Sequence, residues 1–454
     1  MSVRSSRANG LEARDDIAGA PLGVHPAEAV RGQRDAESWA SWLQSARTAQ
    51  RAAMLSGPTV VSCTAPYGVG GLGRHLAELG GALRACDSLC AVLTPQPGEG
   101  ERVAGAVQVA VPALAHLALR VPPVRFSLSR RVEVGNRAFD QAAARRLPRD
   151  AEHLLVFAGH ALAHASRARA LGYRSIGLIA PTAHMTYVAR QHEKAYRLHP
   201  IERPWALPLS SRYEREYEAV ERIFVASRLS WESFATAGVD ESRLRHFPLT
   251  PHERYAPSSR TKQASTFNVV YVGALAVHKG VPLLIEAVRR LRFDDLRLIL
   301  VGGWGTRGMR RYIEQSTQRD ARILVQPGDP LPQLNEADVL AHPSYQDGFA
   351  YAPAEALACG VPVIVTEDTG MKELVRDDVN GRVIPTGDLD ALTCAIEAAY
   401  RGQLLRARSD GALRAADNQA TGGADPRPTL HGATRGPEVD DPGGGKPWGE
   451  SCRS

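Results

Sequence analysis

From Thr59 onward, short apolar runs alternate with stretches in which apolar residues recur every three or four positions. Thr59 to Cys63, Leu89 to Leu93, Val107 to Val111, Leu154 to Phe157, Ile176 to Ile179 and Arg222 to Ala226 read as strands, with a helix over Arg74 to Ala85 between the first two. Such strand–helix alternation predicts a parallel, doubly wound α/β sheet. A second series starts after Pro257. Its strands are Phe267 to Val272, Leu296 to Val301, Ile323 to Val325, Val339 to His342 and Val361 to Val365. Helices are predicted over Pro282 to Leu291, Gly308 to Ser316, Pro332 to Glu336 and Pro353 to Cys359, the last ended by Gly360. In the first of these, Leu284, Ile285, Val288 and Leu291 share one face. Two Rossmann-like units joined near His246 to Pro257 account for both series. Ligands of such sheets bind at the carboxyl ends of the strands, so the expected site is a cleft between the units.

The pattern fails at both ends. Residues 1–55 read as a polar, largely disordered extension, apart from a short helix around Trp39 to Met54, and residues 409–454 as a disordered low-complexity tail. That leaves residues 56–250 for the first domain and 251–408 for the second. A chain of 454 residues has ample length for two full cores, and 44% hydrophobic with 23% charged residues is ordinary for a globular protein. The formal charge of +6 is carried mostly by Arg and spread along the chain. It suits phosphates or peripheral contact with an anionic membrane. With no basic-aromatic module visible, nucleic acid is not an expected partner. No apolar run approaches the ~20 residues that span a bilayer, and MSVRSSRANG lacks the apolar stretch of a secretory signal. The six cysteines show no Cys-x-x-Cys spacing. Reduced thiols and a cytoplasmic location, extending to the inner membrane surface, are therefore expected, and a zinc site is not.

The chemistry concentrates in PSYQDGFAYAPAEALACGVPVIVTE. A carboxylate, Asp347, sits in a turn; a second, Glu355, follows on a short helix; a buried strand comes next. Backbone N–H groups near Phe349 to Ala352 can face an anion, while carboxylates accept hydrogen bonds from sugar or ribose hydroxyls. An anion that carries hydroxyls points to a nucleotide-sugar. Upstream, the turn Gly273 to Gly280 follows a strand and opens a helix, with Lys279 placed to meet a phosphate. In the first domain, Gly68-Val69-Gly70-Gly71-Leu72-Gly73 satisfies Gly-x-Gly-x-x-Gly. A dinucleotide site also wants an acid at the end of the second strand, but Leu93 is followed by Thr94-Pro95-Gln96 and Asp87 lies at the opposite end. That argues against a dinucleotide fingerprint. Asp388 to Asp390 looks like a turn and a helix N-cap, not a metal site.

Asp347-Gly348-Phe349, Glu355-Ala356 and Gly360-Val361-Pro362-Val363 resemble the acid-x7-acid signature of family 4 retaining glycosyltransferases, with Asp347 where the usual residue is Glu. The resemblance covers roughly residues 58 to 400. It implies the GT-B fold, in which two Rossmann-like domains face a central cleft, and transfer of a sugar from a donor such as a UDP- or GDP-sugar. The acceptor would be a glycan, a lipid-linked carrier or a small molecule. No metal and no further cofactor are implied. By the same resemblance Glu355 holds ribose hydroxyls, Asp347 faces the donor sugar, and Lys279 neutralises the departing diphosphate. Gly70, Gly71, Gly273, His278, Gly348, Phe349, Ala350 and Tyr351 line the donor. His184, after the strand Ile176 to Ile179, positions the sugar from the opposite domain; His160 and His164 are secondary candidates. Ala274 stands where many members carry Arg, with His278 as a partial replacement. Members usually end in a helix that crosses back onto the first domain; here either that brace is missing or Leu392 to Arg408 does the job alone. The competing expectations are a catalytically degenerate scaffold of the same fold, or a sugar phosphorylase or epimerase.

Overall fold

Short runs of branched and aliphatic residues form the strands, and each strand is buried on both sides by the helices that connect it to the next. The computed structural model describes residues 39–96, 106–110, 117–122, 124–125, 127–204, 209–257 and 266–402. The first unit comprises α1 (Trp39–Ala53), β1 (Thr59–Ser62), α2 (Gly70–Ala85), β2 (Leu89–Thr94), β3 (Ala106–Gln108), α3 (Leu128–Ala144), β4 (His153–Phe157), α4 (Leu162–Ala170), β5 (Ser175–Ala180), α5 (Met185–Leu198), α6 (Ser210–Glu218), β6 (Arg222–Val225), α7 (Arg228–Thr236) and β7 (Leu244–His246). The second comprises β8 (Phe267–Val272), α8 (Val281–Arg290), β9 (Leu296–Val301), α9 (Arg307–Arg319), β10 (Ile323–Val325), α10 (Leu331–Asn335), β11 (Val339–His342), α11 (Tyr351–Ala358), β12 (Val363–Thr366), β13 (Gly381–Ile384) and α12 (Leu389–Tyr400).

Both sheets are parallel. Their orders are β3-β2-β1-β4-β5-β6-β7 and β10-β9-β8-β11-β12-β13. In each, the winding direction reverses after the central strand, between β1 and β4 and between β8 and β11. The loops that leave those strands therefore diverge and open a crevice at the carboxyl edge. Alternation along the strands divides the core. Val269 and Tyr271 pack with Leu284, Val288, Leu392 and Ile396, whereas Val270, one residue along, faces the opposite side with Ile299 and Ala354. That second cluster runs on through the connecting residues Phe247, Leu249 and Tyr255 to Val61, Leu155 and Phe157 of the first sheet, so the units share one apolar core.

The predicted strands and helices are present within a few residues. Val107 to Val111 contracts to Ala106–Gln108, with residue 111 outside the described residues. β7 and β13 were not predicted; β7 has a single buried residue, Leu244, and both are edge strands. The short helix expected around Trp39 to Met54 is α1, and residues 1–38 lie outside the described residues. α1 is held by Gln50, whose Nε2 donates to Glu78 Oε1 at 2.9 Å and to the Pro248 carbonyl at 2.7 Å. α12 packs on α8 through Leu392, Ala395 and Ile396 and completes the second unit; residues 403–408 of the expected brace lie outside the described residues. Residues 403–454, with the expected tail, lie outside the described residues.

A buried ionic network ties α3, α4 and α6 together behind β4. Asp140 accepts from Arg212 Nη2 at 2.9 Å and from His164 Nδ1 at 2.8 Å, and Arg212 Nε also reaches Glu216 at 3.1 Å. Glu216 caps the turn after β4 by accepting from the Ala161 N–H at 3.0 Å and from Gly159. Burial pushes the Glu216 carboxyl up to about 7, opposed by those N–H groups and by Arg212. Among the described residues, Cys63, Cys86, Cys90, Cys359 and Cys394 are free thiols, and no helix is long and apolar enough to cross a membrane.

Candidate functional site

The loops that leave β8 and β11 carry the acids and the lysine singled out in the sequence. After β8 the chain turns through Gly273 and a short 3₁₀ segment, Val277–Lys279, then enters α8 through Gly280 at φ 74°. A Cβ at Gly280 would lie 1.9 Å from the Pro343 carbonyl oxygen, so only glycine lets this turn lie against the β11 loop. That contact sets Lys279 beside Asp347: Nζ to Oδ2 is 2.6 Å. His342, the last residue of β11, places Nε2 3.3 Å from the same oxygen and stacks on the fully buried Tyr271. Burial would raise the Asp347 carboxyl. The ammonium and the imidazole outweigh it and hold the group well below the usual carboxylate range.

Glu355 lies one turn into α11 and is completely buried. Its Oε1 is bound by Arg74 Nη1, which reaches across from α2 of the first unit. Its Oε2 has no hydrogen-bond partner. The Arg74 guanidinium also lies over the Tyr351 ring, 4.7 Å from its centroid. The Tyr351 hydroxyl donates to Glu78 Oε2 at 2.6 Å. α11 begins without a side-chain cap, at Ala350, whose φ of 73° is unusual for a residue with a Cβ. Its first N–H groups are thus left for another acceptor. A cavity of about 990 Å³ opens alongside, lined by Tyr67, Gly68, Arg74 and Glu78 from the first unit, by Tyr351, and by the connection Thr250 to Tyr255.

The β11 loop is wedged against the first unit. A Cβ on Gly348 would lie 2.3 Å from the Pro181 carbonyl oxygen, and one on Gly370 would lie 2.2 Å from the Gly348 oxygen. The Gly348 carbonyl accepts from the Ser227 and Ser230 hydroxyls, and Glu373 accepts from the Leu229 N–H at 3.1 Å. On the same side, Tyr187 and Gln191 of α5 both donate to Asp368, and Lys194 donates to the Thr386 carbonyl at 2.7 Å.

Among the residues proposed from the sequence, Lys279 and Asp347 come together, but as each other's partner. Gly348 and Phe349 are buried beside them. Gly70 and Gly71 are exposed in the first turn of α2, which has no side-chain cap, with open space around them. Gly273 closes β8 next to the exposed Ala274. His278 is not turned toward a phosphate: its ring stacks on His192 of α5 at 4.3 Å, and burial drives its basicity well down. His184 departs furthest from expectation. Its Nδ1 accepts from the Thr186 N–H and caps α5, while its ring packs against Tyr217 and Phe234 at 4.8 and 5.1 Å. Burial lowers it to about 4, and these contacts belong to the first unit's core, not to the Asp347 cluster. His160 and His164 are likewise committed, His164 to Asp140 and His160 to the Ser62 carbonyl at 3.3 Å. Asp388 caps α12, accepting from the Ala391 N–H at 2.8 Å. Among the described residues, no three His, Cys, Asp or Glu side chains are grouped to hold a metal ion.

Sequence reasoning missed Arg74 and His342. Both stand next to quoted motifs, Arg74 directly after the glycine loop and His342 directly before PSYQDG. No local pattern says that an arginine on α2 will cross to another unit.

Residues 257–414 match the family of glycosyl transferases group 1. A D-inositol 3-phosphate glycosyltransferase of Xylanimonas cellulosilytica is 31% identical over 160 residues, 33% of this chain and 38% of the relative. A putative colanic acid biosynthesis glycosyltransferase, WcaL, of Escherichia coli K12 is 31% identical over 160 residues, 32% of this chain and 39% of the relative. The chain thus aligns with about two-fifths of the length of these relatives. Among solved structures, sucrose-phosphate synthase from Thermosynechococcus elongatus superposes with a TM-score of 0.61 at 19% identity, over 80% of this chain and 94% of that one. Anabaena Alr3699/HepE in complex with UDP-glucose gives 0.56 at 17% identity, over 80% and 97%. The fold is GT-B.

Proposed function

We infer that this chain, a group 1 glycosyl transferase by family, moves a sugar with retention from a nucleotide-diphosphate-sugar to a glycan, lipid-linked or small-molecule acceptor. One observation carries the reading. The paired Lys279–Asp347 and the buried Glu355 leave adjacent loops at the switch point of the second sheet, where the winding rule puts a ligand. A donor there would offer ribose hydroxyls to the open Oε2 of Glu355 and its diphosphate to Lys279 and to the uncapped amides of α11 and α2. Fixed positive charge at that place stabilises the leaving diphosphate as its charge develops. Asp347, kept ionised, would accept from hydroxyls of the sugar. No protein nucleophile is required if the acceptor attacks from the leaving-group face and a phosphate oxygen takes its proton. The crystallised complex of Anabaena HepE with UDP-glucose supports a nucleotide-sugar donor on this fold. The colanic acid and inositol phosphate relatives support acceptors of varied size.

The test is a panel of UDP-, GDP- and ADP-sugars, scored by melting-temperature shift and by donor hydrolysis, on wild type and on Glu355→Ala. The expected result is a shift and slow hydrolysis with one nucleotide, both lost in the variant. Turnover and affinity unchanged in Glu355→Ala would refute it. A wild type indifferent to every nucleotide would favour a non-catalytic scaffold, and phosphate-dependent cleavage a phosphorylase.

A further inference from the structure

We propose that Arg74 is a ligand of the donor's diphosphate, held in the free protein on the carboxylate that the ribose will occupy. It rests on the nucleotide-donor reading above. Glu355 is entirely enclosed, so its charge needs a counter-ion, and the structure supplies that ion from the opposite unit. Only Oε1 is satisfied; Oε2 is buried with no donor, which is the state of an acceptor awaiting a ligand hydroxyl. Arg74 is less confined than its partner, with 30% of its side chain exposed against 0% for Glu355. It can swing while Glu355 cannot.

Beyond Lys279, whose charge is shared with Asp347, the second unit is short of positive charge where the diphosphate would lie: Ala274 offers an exposed methyl group, and His278 is stacked on His192 and kept neutral by burial. Arg74 sits one turn into α2, four and three residues beyond the uncapped amides of Gly70 and Gly71. An anion drawn to that helix start comes within reach of its side chain. A guanidinium fork fits carboxylate and phosphate equally well, so one side chain serves both states. Nucleotide entry then exchanges one pair for two: ribose hydroxyl on Glu355, guanidinium on phosphate.

The experiment compares a nucleoside diphosphate with its nucleoside by calorimetric titration, using whichever of UDP, GDP or ADP binds the wild type. In Arg74→Ala the diphosphate should weaken roughly 10- to 100-fold, the loss of a charge-assisted contact. The nucleoside should bind as well as before or better, because Glu355 has been vacated. Ala274→Arg added to Arg74→Ala should restore most of the diphosphate affinity, which a purely structural arginine would not allow. Arg74→Gln, which keeps a donor on Glu355, carries the same comparison if the alanine variant fails to fold. Equal loss of both ligands, or of neither, in a folded variant overturns the assignment of Arg74 and leaves the donor site standing. A wild type that binds none of the three overturns both.

Discussion

Replacing Lys279 with Met keeps the bulk of the side chain and removes its charge, which isolates the electrostatic part of the Lys279–Asp347 pair. The pair is mostly enclosed, with 22% and 18% of the two side chains exposed. Breaking a fully buried pair costs about 3–5 kcal/mol, and an exposed one contributes up to ~1 kcal/mol. With a fifth of each group still wet and His342 left on the same oxygen, the loss should be about 2 kcal/mol at pH 7. For a unit of this size that lowers the melting temperature by about 4–8 °C. The sign with pH follows from the depressed Asp347 carboxyl, whose ordinary value is 3.8. Stability from a depressed acid is complete above the unfolded value and is lost as pH falls below it toward the folded one. The gap between wild type and Lys279→Met should therefore be constant from pH 7 to about 5. Below pH 4 it should narrow, by at most ~1.4 kcal/mol per pH unit. Calorimetric melting at pH 7, 5, 4 and 3.5 measures it. Adding Asp347→Asn should recover part of the loss, since the stranded charge is then gone. A gap as wide at pH 3.5 as at pH 7, or no gap at all, would refute an ionic origin.

Three further outcomes follow from the geometry. His184→Ala should cost about 1–3 kcal/mol in thermal melts, through the lost α5 cap and the vacated space beside Tyr217 and Phe234. Nucleotide affinity should be unchanged; reduced affinity at unaltered stability would return this histidine to the donor. Gly348→Ala drives a methyl group into the Pro181 carbonyl, so the units should part. Small-angle scattering should show a larger radius of gyration with native far-ultraviolet dichroism; an unchanged radius would count against the wedge. Arg212→Met strands Asp140 and Glu216 without their cation. A loss of about 3–5 kcal/mol is expected in urea titrations, and a drop below 1 kcal/mol would show the network to be dispensable.

Much of the fold was legible because parallel sheets leave a plain trace. Strands such as Leu298 to Val301 and Val269 to Val272 are apolar on both faces, and glycines such as Gly273 and Gly302 punctuate their ends. The edge strands β7 and β13 escaped because an edge needs fewer apolar residues, and Leu244-Arg245-His246 has one. Within the site, Asp347, Glu355 and Lys279 were readable since each sits at a fixed offset from a glycine turn. Their partners were not. Arg74 and Glu355 are 281 residues apart, and which side chain crosses from α2 depends on how two sheets dock, a relation with no local periodicity. His184 misled for the complementary reason: a histidine after a strand can point into a cleft or fold back to cap the next helix. Here Tyr217 and Phe234, from two later helices, decide the matter.

The wedging of Gly348 between Pro181, Ser227 and Gly370 bears on how such proteins can be recombined. The loop that carries the first acid is mechanically the property of both halves, although its sequence lies in one. A chimaera cut at the connecting residues 247–257 would pair a foreign second unit with a host surface never shaped for that loop. Grafts that also transplant residues 181–182 and 227–230 should retain a working joint, whereas clean swaps of one half should yield folded but idle hybrids.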